Sequence, residues 1–294
     1  MYHEDRSDPY ATDMSLDKNP VANTAIPGVA SYTLQTHAYE SDEYVSREIL
    51  NTGNWEPFET ELTRRLLGVF NLFIDLGANI GWYSALAQHV MAPGGLIHAF
   101  EPDPGNLPLL RENVRTGHEV RASIVPAAVS DTVGTAQLFQ SPTNLGDHRL
   151  YASESDRAAV TVPVTTLDTY FGARTLPPRL VKIDTQGSEP RIFRGAVKTM
   201  SPGDADSAYI IEFWPHGMAN AGEDIGAYLD YLAQFPHTPF VIEGWNHCLR
   251  RTTWAALKQR SETDLAPATM HFADLVLVVP GTAAYLTIAD LVQD

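Results

Sequence analysis

Several short stretches of this sequence hold polar residues at spacings suited to chemistry. In LFIDLGANIGWYS (residues 72–84) an apolar run ends at Asp75, a glycine turn follows at Gly77 and Gly81, and a helical run opens near Trp82. Glycine in such a turn lets the backbone approach a ligand, and a helix N-terminus offers N–H groups and a positive dipole end to an anion. A dinucleotide fingerprint reads G-x-G-x-x-G. Here the run is Gly77-Ala78-Asn79-Ile80-Gly81, with no middle glycine and an acid ahead of the turn. That favours a ligand carrying both a carboxylate and a cation, such as an amino-acid moiety; the plainer reading is a tight strand-to-helix turn without a ligand. In HAFEPDP, Glu101 stands 26 residues after Asp75 at the tip of the next strand. A carboxylate placed there can accept hydrogen bonds from both hydroxyls of a ribose.

Three further stretches supply candidate catalytic groups. Asp184 in KIDTQGSE ends an apolar run. It could position an acceptor hydroxyl, take its proton or help to bind a metal, or the stretch could simply cap the next helix, since Ser188 and Glu189 suit a helix start. His148 in NLGDHR lies beside Asp147 in a polar loop. An imidazole near neutrality held by an acceptor suits general-base work, whereas an ordinary loop histidine is solvated. Glu212 in IIEFWPHG lies near a strand end. With Asp184 it could form a carboxylate pair for Mg²⁺, a hard cation that prefers oxygen ligands, but no closer ligand spacing supports a metal and none is favoured. His148, Asp184 and Glu212 are thus the catalytic candidates. Trp245, Asn246 and His247 read as loop packing before pocket lining.

Taken together in order, DLGANIG, AFEPDP, AAVSD (residues 127–131), TTLDTY (165–170) and VKIDTQGSEPRIFRGA (181–196) resemble the FkbM family of S-adenosylmethionine-dependent methyltransferases over roughly residues 50–280. The resemblance implies an α/β, class I Rossmann-like methyltransferase fold: a seven-stranded, mostly parallel sheet, its last strand antiparallel, with helices on both faces. It also implies S-adenosylmethionine as cofactor and methyl transfer to an oxygen of a small molecule or sugar. Asp75, Gly77, Asn79 and Gly81 match the loop that holds the methionine part, Glu101 the ribose acid, and Ser130 with Asp131 the segment near the adenine. GNWEP (residues 53–57) matches a stretch beside the cofactor, which makes Trp55 and Glu56 pocket residues. Asp184 sits where the methyl should face its acceptor. The family pattern has a second acid after that aspartate, and this chain has Gln186.

The elements that must position these residues alternate. Apolar runs lie at 72–76, 96–100, 122–129, 180–183, 209–213, 240–242 and 273–279, with helical runs at 82–91, 104–116, 189–200 and 223–235 between them. Apolar strands without alternation, separated by amphipathic helices, argue a parallel sheet covered on both faces. Residues 1–25 show no periodic apolar pattern and read as a flexible arm. Residues 26–294 read as one domain, with lead-in helices over 26–70 and insertions at 134–171 and 244–270 shaping the acceptor site.

Composition narrows the function. With 20 Lys and Arg against 36 Asp and Glu, the 294-residue chain carries a net charge of −16, which argues against nucleic acid or an anionic membrane surface as partner. A single cysteine, Cys248, excludes an internal disulfide framework and multi-cysteine metal sites. A polar, acidic start and no run of about eighteen apolar residues predict a soluble, cytoplasmic protein. The expectation is an O-methyltransferase acting on a hydroxyl of a small metabolite or sugar-containing natural product. The alternatives are an N-methyltransferase, a nicotinamide dehydrogenase, disfavoured by the glycine spacing, and a non-catalytic cofactor-binding protein. A homo-oligomer is compatible with the sequence.

Overall fold

The computed structural model describes residues 19–115, 119–152 and 157–293. It opens with an antiparallel hairpin, β1 (Val21–Asn23) and β2 (Thr33–Gln35), and two helices, α1 (Val45–Thr52) and α2 (Pro57–Leu67). Strands and helices then alternate through β3 (Leu72–Leu76), α3 (Trp82–Val90), β4 (Leu96–Phe100), α4 (Asn106–Asn113) and β5 (Arg121–Val125). Next come β6 (Ala128–Val129), β7 (Gly134–Gln140), β8 (Ala158–Thr165) and α5 (Leu167–Phe171). The second half contains β9 (Arg179–Ile183), α6 (Glu189–Arg194), β10 (Ser207–Phe213), α7 (Pro215–Asn220), α8 (Ile225–Leu232) and β11 (Thr238–Glu243). It closes with β12 (Cys248–Arg251), α9 (Trp254–Ser261), β13 (Ala273–Val278), α10 (Ala283–Ile288) and β14 (Val292–Gln293).

The main sheet has the order β14-β12-β11-β13-β10-β9-β3-β4-β5. From β10 to β5 its neighbours run parallel, whereas β13 is antiparallel to both β10 and β11. The seven strands β11 to β5 thus form the mostly parallel, Rossmann-like array that the resemblance implies, and two short edge strands, β12 and β14, extend it to nine. Successive side chains of a strand face opposite sides, and the core divides accordingly. Phe73, Ile97 and Leu180 pack with α2, α3 and α4 on one face; Leu72, Ile74, Leu76 and Val181 pack with α5, α6, α8 and α9 on the other. All five residues of β3 and all five of β9 are buried, so the central strands need their predominantly apolar character, and the charges they carry, Asp75, Arg179 and Lys182, must be satisfied inside the protein. Among the described residues no helix is long and apolar enough to cross a membrane.

Three expectations are corrected. The arm predicted to reach residue 25 is docked before that point: Val21–Asn23 pair with Thr33–Gln35, and Ala22 and Thr24 are buried. A three-residue strand is too short to show periodicity, so its partner alone reveals it. Residues 1–18 of that arm lie outside the described residues. The apolar run 122–129 splits at Pro126, which has no N–H for a ladder: Arg121–Val125 joins the main sheet, and β6 joins a separate sheet of order β6-β8-β7. The helix expected over 189–200 ends at Arg194. Gly195 lies so close to the Ser130 carbonyl that a Cβ would sit 2.0 Å from its oxygen, and Asp168 then accepts hydrogen bonds from the Lys198 and Thr199 N–H groups.

Candidate active site

The carboxyl ends of β3, β4, β9 and β10 converge on two cavities, where ligands of open α/β sheets bind. The first is lined by Gly77, Phe100, Glu101, Pro102, Ala127–Val129, Leu138 and His148. The second, about 570 Å³, is lined by Trp55, Glu56, Tyr83, Asp184, Glu212 and Asp274, among others. Gly77, Asn79, Gly146, Asp184 and Gln186 line both, so the two meet over the glycine turn and the end of β9.

The turn is built by its own hydrogen bonds. Gly77 and Ala78 N–H both donate to the Phe100 carbonyl, Asn79 N–H to Glu101 Oε2, Ile80 N–H to Asn79 Oδ1 and Gly81 N–H to the Ala78 carbonyl. The amides expected to face an anion are therefore engaged within the protein across Gly77–Gly81. Gly77 and Gly81 adopt φ of 83° and 92°, the left-handed region glycine tolerates. At Gly77 a Cβ would also lie 2.0 Å from the Asp184 carbonyl oxygen, so glycine is what lets β3 and β9 end side by side.

Glu101 is buried and held from two sides. Its Oε2 accepts from Asn79 N–H and its Oε1 from Asp103 N–H, each at 2.8 Å. Each carboxylate oxygen keeps a further lone pair for a ligand in the first cavity. Burial, helped by the charge of Asp103, pushes its pKa up to about 8.

The second cavity is rich in acids around one buried lysine. Lys182 Nζ lies 3.0 Å from Asp184 Oδ2, 3.3 Å from Glu59 Oε1 and 4.6 Å from the Tyr83 ring centroid. Burial lowers its pKa, but Asp184, Glu59 and Glu56 outweigh that and hold it well above the usual lysine value. Asp184 Oδ1 accepts from Gln186 Nε2 at 3.0 Å, so Gln186, where a second acid was expected, orients the aspartate. Gln186 does so from the left-handed region, φ 55°. Glu56, at φ 43°, accepts from the Tyr83 hydroxyl at 2.6 Å, and burial and Glu59 push it up to about 8. Glu212 and Asp274 face each other in register across β10 and β13. Burial, with Asp184 acting on both, raises both pKa values well above the carboxylate range.

A family model, the methyltransferase FkbM domain, matches residues 75–234, which is 160 of the 294 residues and more than half the chain. The chain belongs to the FkbM methyltransferase family. It is similar to the 31-O-demethyl-FK506 methyltransferase FkbM of Streptomyces tacrolimicus, with 38% identity over 72 residues, 24% of this chain and 27% of that protein. The match thus spans about a quarter of the relative. Among solved structures it is similar to a precorrin-6y C5,15-methyltransferase from Geobacter metallireducens, with TM-score 0.41 and 12% identity over 81% of this chain and 95% of that one. A Bacillus cereus O-methyltransferase in complex with SAH gives TM-score 0.40 and 11% identity, over 76% of this chain and 81% of that one.

In this FkbM-family chain the expected site residues fall into distinct places. Glu101 lines the first cavity, while Trp55, Glu56 and Glu212 line the second; Gly77, Asn79 and Asp184 line both. Asp75 lines neither: it is buried under the turn, where its Oδ2 accepts from Ser84 Oγ at 2.6 Å and ties β3 to α3. Gly81 packs against Leu110 as the residue before α3. Ser130 and Asp131 also lie off the cavity walls. Ser130 N–H donates to the Thr165 carbonyl and Asp131 pairs with Arg194 at 2.9 Å, so the wall is made by Ala127–Val129 just before them.

His148 is not placed as a base for the second cavity. Its Nδ1 accepts from the Ser141 N–H at 3.1 Å and its Nε2 lies 3.7 Å from Asp103 Oδ2, with the ring facing the first cavity. The nitrogen free of a proton is already bonded, and burial pulls the ring's pKa down. Asp147 is committed to Arg149 and Arg157. His216 is held by the Pro267 carbonyl through Nδ1, and Trp245 is 99% exposed.

Sequence reasoning missed Lys182 and Asp274. Lys182 is the charge within the run LVKI and Asp274 the single charge of ADLVLV, and a charge set in an apolar strand is costly unless it is paired or used. That was the available signal. Because β13 runs antiparallel, its first residues lie beside the carboxyl ends of the other strands, which brings Asp274 to the site.

Two measurements test this geometry. Gly77→Ala must place a methyl against a backbone carbonyl at positive φ, whereas Gly94→Ala, at φ 87°, meets nothing within 4 Å. We expect Gly94→Ala to cost about 1–2 kcal/mol from the left-handed conformation alone, and Gly77→Ala clearly more in denaturant unfolding; equal losses would contradict the close approach. The second is a melting series in pH. Raised carboxyl pKa values mean that the folded protein binds more protons than the unfolded chain, so the stability they give is present below about pH 4.5 and lost as pH rises through the folded values. Asp75 is pushed up to about 6, Glu189 to about 7, and Glu56 and Glu101 to about 8, burial being the leading cause in each. The ligand-free protein should therefore melt at a lower temperature at about pH 8.5 than at about pH 5.5, the loss accumulating as pH passes each folded value; a flat or rising profile would contradict it.

Proposed function

We propose that the protein is an S-adenosylmethionine-dependent O-methyltransferase acting on a hydroxyl of a small metabolite or sugar-containing natural product. The observation that carries the reading is the meeting of the two cavities at Gly77, Asn79 and Asp184, with Glu101 on the wall of the first. The residues fit the cofactor. Gly77 lines both cavities and lets β3 and β9 end side by side where they meet, Glu101 has lone pairs for two ribose hydroxyls, and Phe100, Ala128 and Val129 give the first cavity an apolar wall for a flat base.

When bound, the cofactor supplies an electrophilic methyl on a sulfonium. The protein's own contribution is chiefly alignment, because an in-line displacement gains most from positioning its two reactants. Glu101, on the wall of the first cavity, would hold the ribose hydroxyls. Asp184, on the boundary of the two cavities, would accept a hydrogen bond from the acceptor hydroxyl and take its proton as the methyl–sulfur bond gives way to the methyl–oxygen bond, leaving a neutral thioether. Lys182 and Gln186 hold the Asp184 carboxylate in one orientation.

Calorimetric titration with S-adenosylhomocysteine tests the cofactor half. Stoichiometric binding, with NAD⁺ giving no heat, is expected; no S-adenosylhomocysteine binding by a folded sample overturns the reading. Turnover of hydroxylated acceptors tests the rest, with product analysis distinguishing O-methyl from N-methyl.

A further inference from the structure

The wall of the second cavity furthest from the glycine turn is acidic beyond what the cofactor needs. Strands in a sheet are roughly 4.8 Å apart. In the order β3-β9-β10-β13, Glu212 on β10 stands two strands from the turn, roughly 10 Å, and Asp274 on β13 three, roughly 14 Å. Both lie on the acceptor side of Asp184.

Neither carboxyl is paired among the described residues of the protein. Glu212 Oε2 is buried without a hydrogen-bond partner, and neither Glu212 nor Asp274 has an ion pair among the described residues. The cations that line the cavity are already taken: Lys182 by Asp184 and Glu59, and Arg149 by Asp147. A buried carboxylate oxygen with no partner is costly unless a ligand satisfies it. The same cavity is lined by Trp55 and Phe272, and aromatic faces attract cations. Among the described residues no three His, Cys, Asp or Glu side chains form a group able to hold a metal ion, so the arrangement suits an organic cation better than a metal.

Resting on the methyltransferase reading above, we infer that the acceptor is an amino alcohol or amino sugar whose protonated amine is held by Glu212 and Asp274 while a hydroxyl faces Asp184. With β9 and β10 adjacent, roughly 5 Å separates the two anchor points, the spacing of an amine and a hydroxyl a few bonds apart on one small molecule. An ammonium group has no lone pair, so the anchored nitrogen is not the nucleophile and the methyl goes to oxygen.

The test uses the full chain saturated with S-adenosylhomocysteine and a panel of amino alcohols and amino sugars, glucosamine among them, each matched with its N-acetyl derivative. Calorimetry reads affinity for each pair. The expected result is binding by free amines, weakened at least tenfold by acetylation, and loss of that discrimination in Glu212→Gln and in the Glu212→Gln/Asp274→Asn double variant. Both variants should still bind S-adenosylhomocysteine, which confirms that they fold. Equal or tighter binding of the acetylated partners, or no amine binding to protein that holds S-adenosylhomocysteine, overturns this inference and leaves the cofactor reading intact. Failure to bind S-adenosylhomocysteine overturns the reading beneath it.

Discussion

Replacing Asp184 with Asn is expected to lower kcat by about 10²–10⁴-fold, the usual contribution of a positioned proton acceptor. Asparagine keeps the shape of the side chain, and Lys182 retains Glu59 as a partner at 3.3 Å, so the fold should survive. The amide cannot take the hydroxyl proton, and one end of it presents a donor where the carboxylate accepted from Lys182 or Gln186. S-adenosylhomocysteine affinity should change far less than kcat, because the ribose is held by Glu101. Single-turnover kinetics with the first acceptor that turns over would separate the two effects. A variant within tenfold of the parent would remove Asp184 from the proton path and turn attention to Glu56, the other acid at this cavity pushed up to about 8.

The second large effect belongs to Glu101. Glu101→Ala should weaken S-adenosylhomocysteine binding by about 10²-fold or more, since hydrogen bonds to a charged group contribute roughly 1.5–3 kcal/mol each and two are lost. It also strips the Asn79 and Asp103 amides of their acceptor. Glu101→Gln separates these consequences: one carboxamide oxygen can still accept, while the other end presents a donor to an amide that donates. A melting curve for each variant distinguishes lost affinity from lost fold. The pH dependence follows with a definite sign. The ribose hydroxyls donate to the ionised carboxylate, and the free group is pushed up to about 8, so affinity should rise as pH climbs towards that value and then level off. Glu101→Gln should lose that rise; an unchanged pH profile in the variant would mean that another group controls it.

Both expectations depend on placements that could be read in the chain before any coordinates. Asp184 and Glu101 each follow an apolar run at a strand's carboxyl end, and Gly77 and Gly81 sit where a strand must turn into a helix. Periodicity and turn chemistry are local, so β3, β4, β9 and β10 and the order of motifs along them were legible. So was the antiparallel last strand, through the family resemblance.

What each polar side chain meets is not local, and there the sequence was a weaker guide. Asp131 looked like part of the adenine segment, but Arg194, 63 residues later, draws it to the outside. His148 and Asp147 are neighbours in sequence and separate in space: one turns its ring to Asp103 and the other to two arginines. Asp274, unremarked in its apolar strand, reaches the site only because β13 runs against its neighbours and brings its first residues up to Glu212. The sequence by itself determined which segments form the sheet and where its glycine turn and tip acids fall, because hydrophobic pattern and backbone preference act over a few residues. The tertiary structure alone decided which carboxylates share Lys182 and which are left for a ligand, because charges interact through space across strands that lie far apart in the chain.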